Sequence, residues 1–292
     1  MSKTLSRSVA LLVLAPVLTA CGGGGGSGSA TPFTSFNDLP ETGTVELQGQ
    51  ARTARFAVDP VTGQLSLSNL SDTEDSTLRL TTANGVIPRV AIRAPDSAVA
   101  FDLDQGATVQ VDGPVVFFES DDGRRFALLL DGGRGGPFEY QTLGAWLDGF
   151  GAERGTLGAG AYGARTPSAR LPTGQVATYV GEGAGFARRA DGEGYLTISA
   201  IEVTTDFRQA EILSTQTQAI SLATSDTIPA PELDFDGSGP VSGAEFTAAV
   251  SGLGSAGEAQ GVFHGPNAEE VAGTYSLSGP GGVAHIGAFG GN

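Results

Sequence analysis

Residues 261–290, GVFHGPNAEEVAGTYSLSGPGGVAHIGAFG, contain the pattern that decides the fold. Short runs of alternating apolar and small residues are separated by turns rich in glycine and proline, as expected for neighbouring antiparallel strands. We predict that residues 265–270 end one strand and form a single helical turn capped by Asn267. Gly273 then permits tight packing on the next strand. These roles are structural, so the segment predicts a fold rather than a binding site.

The sequence before this segment has the same alternation. Eight candidate strands follow residue 173, in the segments GQVATYVGEGAGFARR, GYLTISAIEVTTDF, QAEILSTQTQAISL, ELDFDG, GAEFTAAVSG, EAQGVFHG, EVAGTYSLSG and VAHIGAFGG. Leu196 and Ile198 lie in one phase and Ile201 and Val203 in the other, which predicts a bulge near Ala200. Eight strands at this spacing fit a small closed antiparallel barrel over residues 173–292.

Three segments of this barrel resemble a known family. LPTGQVATYVG at 171–181, GVFHGPNAEEVAG at 261–273 and GAFG at 287–290 are similar to the transferrin-binding protein B-like β-barrel domain of bacterial surface lipoproteins. His264 departs from the pattern, because relatives usually carry an aromatic residue there. The chain has one lobe, whereas the transferrin receptors have two, so the resemblance implies a binding protein without specifying transferrin as its ligand.

The N-terminal half also reads as antiparallel β structure. Residues 42–150 contain about ten strand-like runs separated by turn signals such as Asn84-Gly85 and Asp122-Gly123. The absence of helical periodicity predicts an all-β protein, and the family resemblance implies a handle-like β domain before the barrel. Residues 151–172, GAERGTLGAGAYGARTPSARLP, are rich in small residues and are predicted to form a hinge.

The N-terminus reads as a secretion signal. A positive start, an apolar run from Val9 to Ala20 and small residues before Cys21 predict a signal peptide over residues 1–20. LTAC resembles the lipobox of bacterial lipoproteins, which implies acyl chains, palmitate among them, on Cys21. The alternative is an ordinary signal peptide with a chance cysteine, which the poly-glycine run that follows disfavours. Residues 21–41 are predicted to form the lipidated cysteine and a Gly/Ser-rich tether.

Charge and cysteine content exclude several classes of function. Without residues 1–20 the chain keeps 14 arginines, no lysine and 32 acidic residues, a formal charge of −18. Nucleic-acid binding depends on basic residues that contact phosphates, so no nucleic-acid partner is predicted. A single cysteine excludes an intramolecular disulfide framework.

Residues suited to catalysis or cofactor binding are few. His264 and His285 are the two histidines, and both fall within predicted strands. His285 shares a face with Phe289, which is typical of a barrel interior, so we predict no enzyme activity. No glycine-rich phosphate loop opens a helix, and haem would lack a methionine ligand in the mature chain, so no cofactor is predicted.

One motif matches a calcium loop. Asp234, Asp236, Ser238 and Glu245 occupy the ligand positions of the pattern D-x-D-x-S-G-x₅-E, with Gly239 at its sixth position. The preceding PAPEL cannot form the entering helix. The competing interpretation makes residues 231–237 and 241–250 adjacent strands with Gly-Ser-Gly-Pro as their turn. We favour the hairpin and assign no metal site.

These observations predict a non-enzymatic lipoprotein of the outer membrane of a Gram-negative bacterium. Gly22, rather than aspartate, follows Cys21. The resemblance to bacterial lipoproteins implies that such a chain is sorted to the outer membrane. The barrel is expected to face the exterior and to bind a protein or metal-carrier ligand through its loops. A calcium-binding module and a purely structural envelope protein are the alternatives.

Overall fold

The computed structural model describes residues 30–130 and 136–292. The predicted signal peptide (residues 1–20), the predicted lipidation site Cys21 and residues 22–29 of the predicted tether lie outside these ranges. Within them, no helix is long and apolar enough to cross a membrane.

The first part of the chain is a curled sheet of eleven strands. The strands are β1 (Thr31–Pro32), β2 (Gly43–Val58), β3 (Leu65–Ser68), β4 (Glu74–Ala83), β5 (Val86–Ala94), β6 (Ser97–Asp102), β7 (Thr108–Asp112), β8 (Val115–Glu119), β9 (Arg125–Leu130), β10 (Gln141–Asp148) and β11 (Arg154–Gly163). Nine follow the order β6-β5-β4-β2-β11-β10-β9-β8-β7, and β1 and β3 pair with β2. The predicted strands of residues 42–150 are all present, although the first two form the single long strand β2.

One face of this sheet encloses an apolar core. The two ends of the sheet approach each other there, since the rings of Phe101 on β6 and Phe118 on β8 lie 5.6 Å apart between centroids. Trp146 is fully buried in the same core and donates a hydrogen bond of 2.9 Å to Ser97 Oγ. Trp146 therefore belongs to the core of the first sheet and not to its interface with the rest of the chain.

The predicted hinge is wrong for most of its length. Residues 154–163 form β11, which pairs with both β2 and β10 in the middle of the sheet. Its small residues serve close packing, because a Cβ on Gly158 would lie 2.3 Å from the Trp146 ring. The connection to the barrel is therefore shorter, spanning residues 164–176, with one 3₁₀ turn at Ser168–Arg170.

The C-terminal part of the predicted tether is packed against the first sheet. Phe33 and Phe36 are buried, and their rings contact edge-on at 4.8 Å between centroids. The Phe36 backbone N–H donates to the carbonyl of Glu139 at 2.9 Å. Because apolar side chains anchor these residues, the segment available as a tether ends near Ala30 rather than residue 41.

The rest of the chain forms a closed antiparallel barrel. Its eight wall strands are β12 (Ala177–Arg188), β13 (Gly194–Thr205), β14 (Gln209–Ser221), β16 (Phe235–Ser242), β17 (Glu245–Gly252), β18 (Ser255–His264), β19 (Glu270–Ser278) and β20 (Ala284–Gly291). They pair in this order, and β12 closes the ring by pairing with β20. The short β15 (Thr227–Pro229) adds to β14. The predicted all-β fold, with a handle-like sheet before an eight-stranded barrel, is confirmed.

The predicted bulge is present, but it lies on β14, the strand that pairs with the expected strand β13. The register between β13 and β14 shifts between Ile198 and Ala200, but the extra residue belongs to β14, where Gln216 has φ +56°. The change of hydrophobic phase has a different cause. Ile201 faces the barrel interior, whereas Leu196 on the outer face packs against the first sheet. The outer face of β13 is therefore apolar in its first half, and the inner face is apolar in its second half.

The described residues also include short 3₁₀ turns. Besides Ser168–Arg170, these are Phe36–Asp38, Leu103–Gln105, Pro231–Leu233 and Pro280–Gly282.

Candidate functional site

The sheet and the barrel share an apolar interface that leaves an open cleft at one end. The cleft has a volume of about 570 Å³, within the range of ligand-binding sites. Four turns surround it, at residues 59–64, 149–153, 189–194 and 221–223. Its apolar lining includes Phe56, Leu65, Leu147, Phe150 and Leu222. We call this space the junction cleft.

The turn at residues 59–64 is held by its own first residue. Asp59 Oδ1 accepts hydrogen bonds from the backbone N–H groups of Val61 and Thr62, at 2.8 and 2.9 Å. These two bonds lower the pKa of Asp59, and the bond from Thr62 has the larger effect. An ionised side chain thus shapes the turn. As a result Val61 lies at the tip with 91% of its surface exposed.

A second turn connects the barrel to the first sheet beside the cleft. Asp191 Oδ1 accepts from the Glu193 N–H at 2.9 Å within the β12–β13 turn. The Leu65 N–H donates to the Gly192 carbonyl at 2.7 Å, and Arg188 Nε donates to the Leu65 carbonyl at 2.5 Å. These bonds between the two units position one wall of the junction cleft.

The mouth of the cleft combines exposed apolar groups with negative charge. Phe150 is 41% exposed and packs edge-on against Phe126 at 5.6 Å between centroids. Glu153, Asp191 and Glu193 are exposed on the lining turns. An aromatic residue beside carboxylates suits a ligand with apolar and basic groups.

Strand β2 places this cleft far from the N-terminus of the described chain. Thr31 pairs with Val45 near the start of β2, and Val58 at its end pairs with Leu65 beside the cleft. Thirteen residues of extended strand cover about 40 Å. The junction cleft therefore lies at the end of the molecule opposite Thr31.

Two buried charged residues join the units elsewhere in the interface. Arg52 on β2 donates to Ser276 Oγ at 3.0 Å and forms an ion pair with Glu258 at 3.1 Å. Glu270 on β19 accepts from the backbone N–H groups of Glu139 and Tyr140, at 2.6 and 3.1 Å. Burial raises the pKa of Glu270 to about 6. Sequence reasoning missed both roles, because neither residue has a partner nearby in the chain.

The turn that precedes Glu270 differs in detail from its prediction. Residues 265–268 form a turn, but Asn267 caps no helix. Instead Glu269 accepts from the Asn267 backbone N–H at 2.7 Å, and Ala268 has φ +63°. Gly273 has the predicted packing role, since a Cβ there would lie 2.0 Å from the Gln260 carbonyl oxygen.

Both histidines are buried and lack catalytic geometry. His285 points into the barrel, as predicted, where its Nε2 atom lies 3.0 Å from Thr197 Oγ1 and 2.9 Å from the Tyr275 hydroxyl. Burial lowers the pKa of His285 to about 3 and that of His264 to about 4. Among the described residues, neither Nδ1 atom has a hydrogen-bond partner. An inaccessible imidazole with a low pKa and no orienting carboxylate is a poor general base.

The calcium-loop motif forms a hairpin. Residues 235–242 are the extended strand β16, and the turn lies at Gly243-Ala244, with φ +61° at Gly243. The hairpin is as predicted, but its turn is not at Gly-Ser-Gly-Pro, because β16 continues through those residues.

The extended backbone separates the side chains of the motif. Asp234 Oδ1 accepts from Thr217 Oγ1 at 2.6 Å, whereas Asp236 and Ser238 are exposed. Glu245 forms an ion pair with Arg165 beyond the turn. Residues 235–242 span roughly 23 Å, so Asp234 and Glu245 do not converge on one cation. Among the described residues no cluster of three metal ligands is present.

Comparison with known proteins identifies the barrel. A family model described as the C-lobe and N-lobe β-barrels of Tf (transferrin)-binding protein B matches residues 171–292. The barrel of this chain is therefore similar to those barrels. The match begins a few residues before β12 and ends at the last residue, so it covers the closed barrel and not the first sheet.

Solved structures also resemble the chain. Transferrin-binding protein B from Haemophilus parasuis is 12% identical, with a TM-score of 0.44 over 88% of this chain and 77% of that chain. The protein from Neisseria meningitidis is 14% identical, with a TM-score of 0.35 over 87% and 77%. A protein described as a surface lipoprotein is 14% identical, with a TM-score of 0.41 over 82% and 98%. No curated protein matches the sequence.

Proposed function

We propose that this protein is a lipid-anchored lipoprotein of a Gram-negative outer membrane that binds a protein ligand, such as a metal carrier, through the junction cleft. The observation that carries the proposal is the match of residues 171–292 to the barrels of transferrin-binding protein B. The LTAC sequence ending at Cys21 supports the lipid anchor. Binding, rather than catalysis, is the function that the buried histidines favour.

The position of the junction cleft supports its role in binding. It lies at the end opposite Thr31, and Thr31 follows the predicted anchor Cys21 by ten residues, directly after the segment available as a tether. A ligand in the surrounding medium would therefore meet the turns around Val61 and Phe150 first. Loops held on a rigid β scaffold are where binding specificity usually lies.

Charge indicates what kind of ligand would fit. The barrel segment, residues 171–292, has 3 arginines and 14 acidic residues, a formal charge of −11. Asp191 and Glu193 of this segment line the cleft, and Glu153, outside the segment, adds a further negative charge there. A ligand surface with basic and apolar side chains would be attracted by this potential and would bury Phe150 on contact.

The test uses the mature lipoprotein in detergent, immobilised and exposed first to iron-loaded transferrin and then to host serum. We expect a retained protein whose binding is weakened by Phe150→Ala. Leu213→Ala is the matched control, because Leu213 is similarly exposed, at 43%, on β14 of the barrel wall. Equal loss with both variants would contradict the cleft as the binding site. Retention of no protein would favour a structural role in the envelope.

A further inference from the structure

A strand at the edge of the first sheet is unpaired on one side. β7 is the last strand in the sheet order and pairs only with β8 among the described residues. All five of its residues, Thr108–Asp112, are exposed. An uncovered edge presents free backbone donors and acceptors to any extended chain that approaches it.

The register shows which backbone groups are free. A two-residue turn at Gly113-Pro114 joins β7 to β8, so the flanking pair Asp112 and Val115 exchange hydrogen bonds. Alternation along the strand then directs the N–H and C=O groups of Val109 and Val111 away from β8. These two residues offer four hydrogen-bonding groups at the free edge.

An apolar seam lies beside this edge. It encloses about 180 Å³ between the two ends of the curled sheet and has almost no polar lining. Its lining includes Leu78, Ile87, Val90, Val109, Val116 and Phe118. Val111, which shares the face of Val109, is 68% exposed. A strand added to β7 would therefore gain backbone hydrogen bonds and bury apolar side chains over the seam.

The charges around β7 favour a basic strand. Asp112 ends the strand, Glu119 lies opposite Thr108 at its start, and the Asp121 Cβ lies 3.3 Å from where a Cβ on Gly106 would be. Among the described residues none of these three carboxylates forms an ion pair. Negative charge therefore lies at both ends of a short apolar edge.

Other occupants fit less well. Apart from Cys21, whose predicted acyl chains would insert into the membrane, the undescribed stretches of the predicted mature chain are GGGGGSGS at 22–29 and DGGRG at 131–135, and they contain no apolar side chain to fill the seam. A second copy of the chain would bring together two bodies of formal charge −18.

We propose that β7 is a docking edge for an extended segment of a protein partner, with alternating apolar residues flanked by basic ones. The segment adds to the sheet beside Val109 and Val111 and places its apolar side chains over the seam. This is strand addition, a mode in which main-chain bonds supply affinity and side-chain pockets supply specificity. It is independent of the junction cleft, which lies between the sheet and the barrel.

The probe is a fluorescently labelled seven-residue peptide that alternates valine with threonine and has an arginine at each end. We expect saturable binding to the mature lipoprotein at low salt, measured by fluorescence anisotropy. Val111→Pro removes a free N–H without disturbing the bonds to β8, and it should weaken binding by about tenfold or more. Val111→Thr keeps the N–H and should bind as the wild type does, while circular dichroism checks that both variants are folded.

Two further peptides separate the contribution of the backbone hydrogen bonds from that of charge. A peptide N-methylated on its edge-facing amides should not bind, and one with terminal glutamates should bind about tenfold or more weakly. No binding of the arginine peptide to wild type, or equal binding to Val111→Pro, would overturn the proposal. A homodimer seen by ultracentrifugation that Val111→Pro disrupts would also overturn it, since the occupant would then be a second copy.

Discussion

Arg52 and Glu258, 206 residues apart in the sequence, form an ion pair of 3.1 Å that joins the first sheet to the barrel. The arginine side chain is 4% exposed, whereas that of Glu258 is 46% exposed. Burial lowers the pKa of Arg52, and the charge of Glu258 opposes this shift. The barrel thus supplies the counter-charge for a cation buried in the interface.

Removing the anion should cost more than removing the cation. Glu258→Gln leaves the Arg52 charge buried without a counter-charge, so we expect the free energy of unfolding to fall by about 1–2 kcal/mol, a value reduced for the exposure of Glu258. Arg52→Met removes the charge and keeps the length of the side chain, and should cost less. Urea denaturation measures both changes.

An exposed pair provides the control for this comparison. Arg79 and Glu46 form an ion pair of 2.6 Å within the first sheet. Glu46→Gln should change stability by no more than about 0.5 kcal/mol, because solvent screens that pair. A loss at Glu46 as large as that at Glu258 would show that burial of Arg52 has no special energetic role.

The barrel was predictable because its strands have a simple pattern. Residues typical of turns mark the connections between its strands, and interior residues such as His285 and Phe289 alternate with outward ones. The phase change near Ala200 was harder to interpret, because a single sequence does not reveal that Leu196 faces a second domain. An apolar residue predicts burial, but not which surface covers it.

The mistaken hinge has a related explanation. A run of glycine and alanine suits a flexible linker, and it equally suits a strand against which large rings pack. Only the position of Trp146 against Gly158 distinguishes the two. Likewise, the calcium motif is defined only by the spacing of its residues, and the same spacing occurs in a calcium loop and in a hairpin. The junction cleft could not be predicted, because its turns come from distant segments.

Acidification should destabilise the protein through its two histidines. The folded-state pKa values of His264 and His285, about 4 and about 3, lie below the ordinary value of 6.5. The unfolded chain therefore binds more protons, so the stability that these residues contribute above pH 6.5 is lost as the pH falls toward 4 and 3. Each should account for about 2 kcal/mol between pH 7 and 5.

Glu270 acts in the opposite direction. Its folded pKa of about 6 lies above the ordinary 4.5, so the folded state gains stability from protonation as the pH falls between these values. That gain is about 1 kcal/mol at pH 5, less than the loss from the histidines. Urea denaturation from pH 7 to 5 should show a net loss, which His285→Gln makes smaller. A loss unchanged in the variant would contradict the assignment to His285.

Calcium should leave the stability unchanged. Asp234 precedes β16 and Glu245 begins β17 beyond the far end of β16, so the motif offers no common site, and the stabilisation RT ln(1 + [L]/Kd) should be absent. The melting temperature is measured across millimolar calcium for wild type and for Glu245→Ala. The variant loses the exposed ion pair with Arg165, and a small, calcium-independent shift is expected from it. A melting temperature that rises with calcium in the wild type alone would instead support a metal site at this motif.

Replacing the predicted lipidation site should release the protein from the membrane. Cys21→Ser removes the thiol that would carry the acyl chains, and no other cysteine is present to replace it. We expect no incorporation of labelled palmitate and loss of the protein from the outer-membrane fraction. A variant that still fractionates with the outer membrane would show that another interaction holds the protein there.

Protease added to intact cells should remove the body of the protein if it faces the exterior. The usable tether is residues 22–30, because Phe33 and Phe36 fasten the following segment to the first sheet. Nine residues of the predicted Gly/Ser-rich tether would span roughly 15–18 Å as a coil, enough to clear lipid headgroups but not a thick polysaccharide coat. The length of β2 compensates, since it holds the junction cleft about 40 Å farther out. Proteinase K is a suitable enzyme because it cleaves with broad specificity, whereas trypsin has only the 14 arginines of the mature chain to recognise. Digestion only after the outer membrane is opened would place the body in the periplasm, and the proposed ligand would then have to be a periplasmic protein.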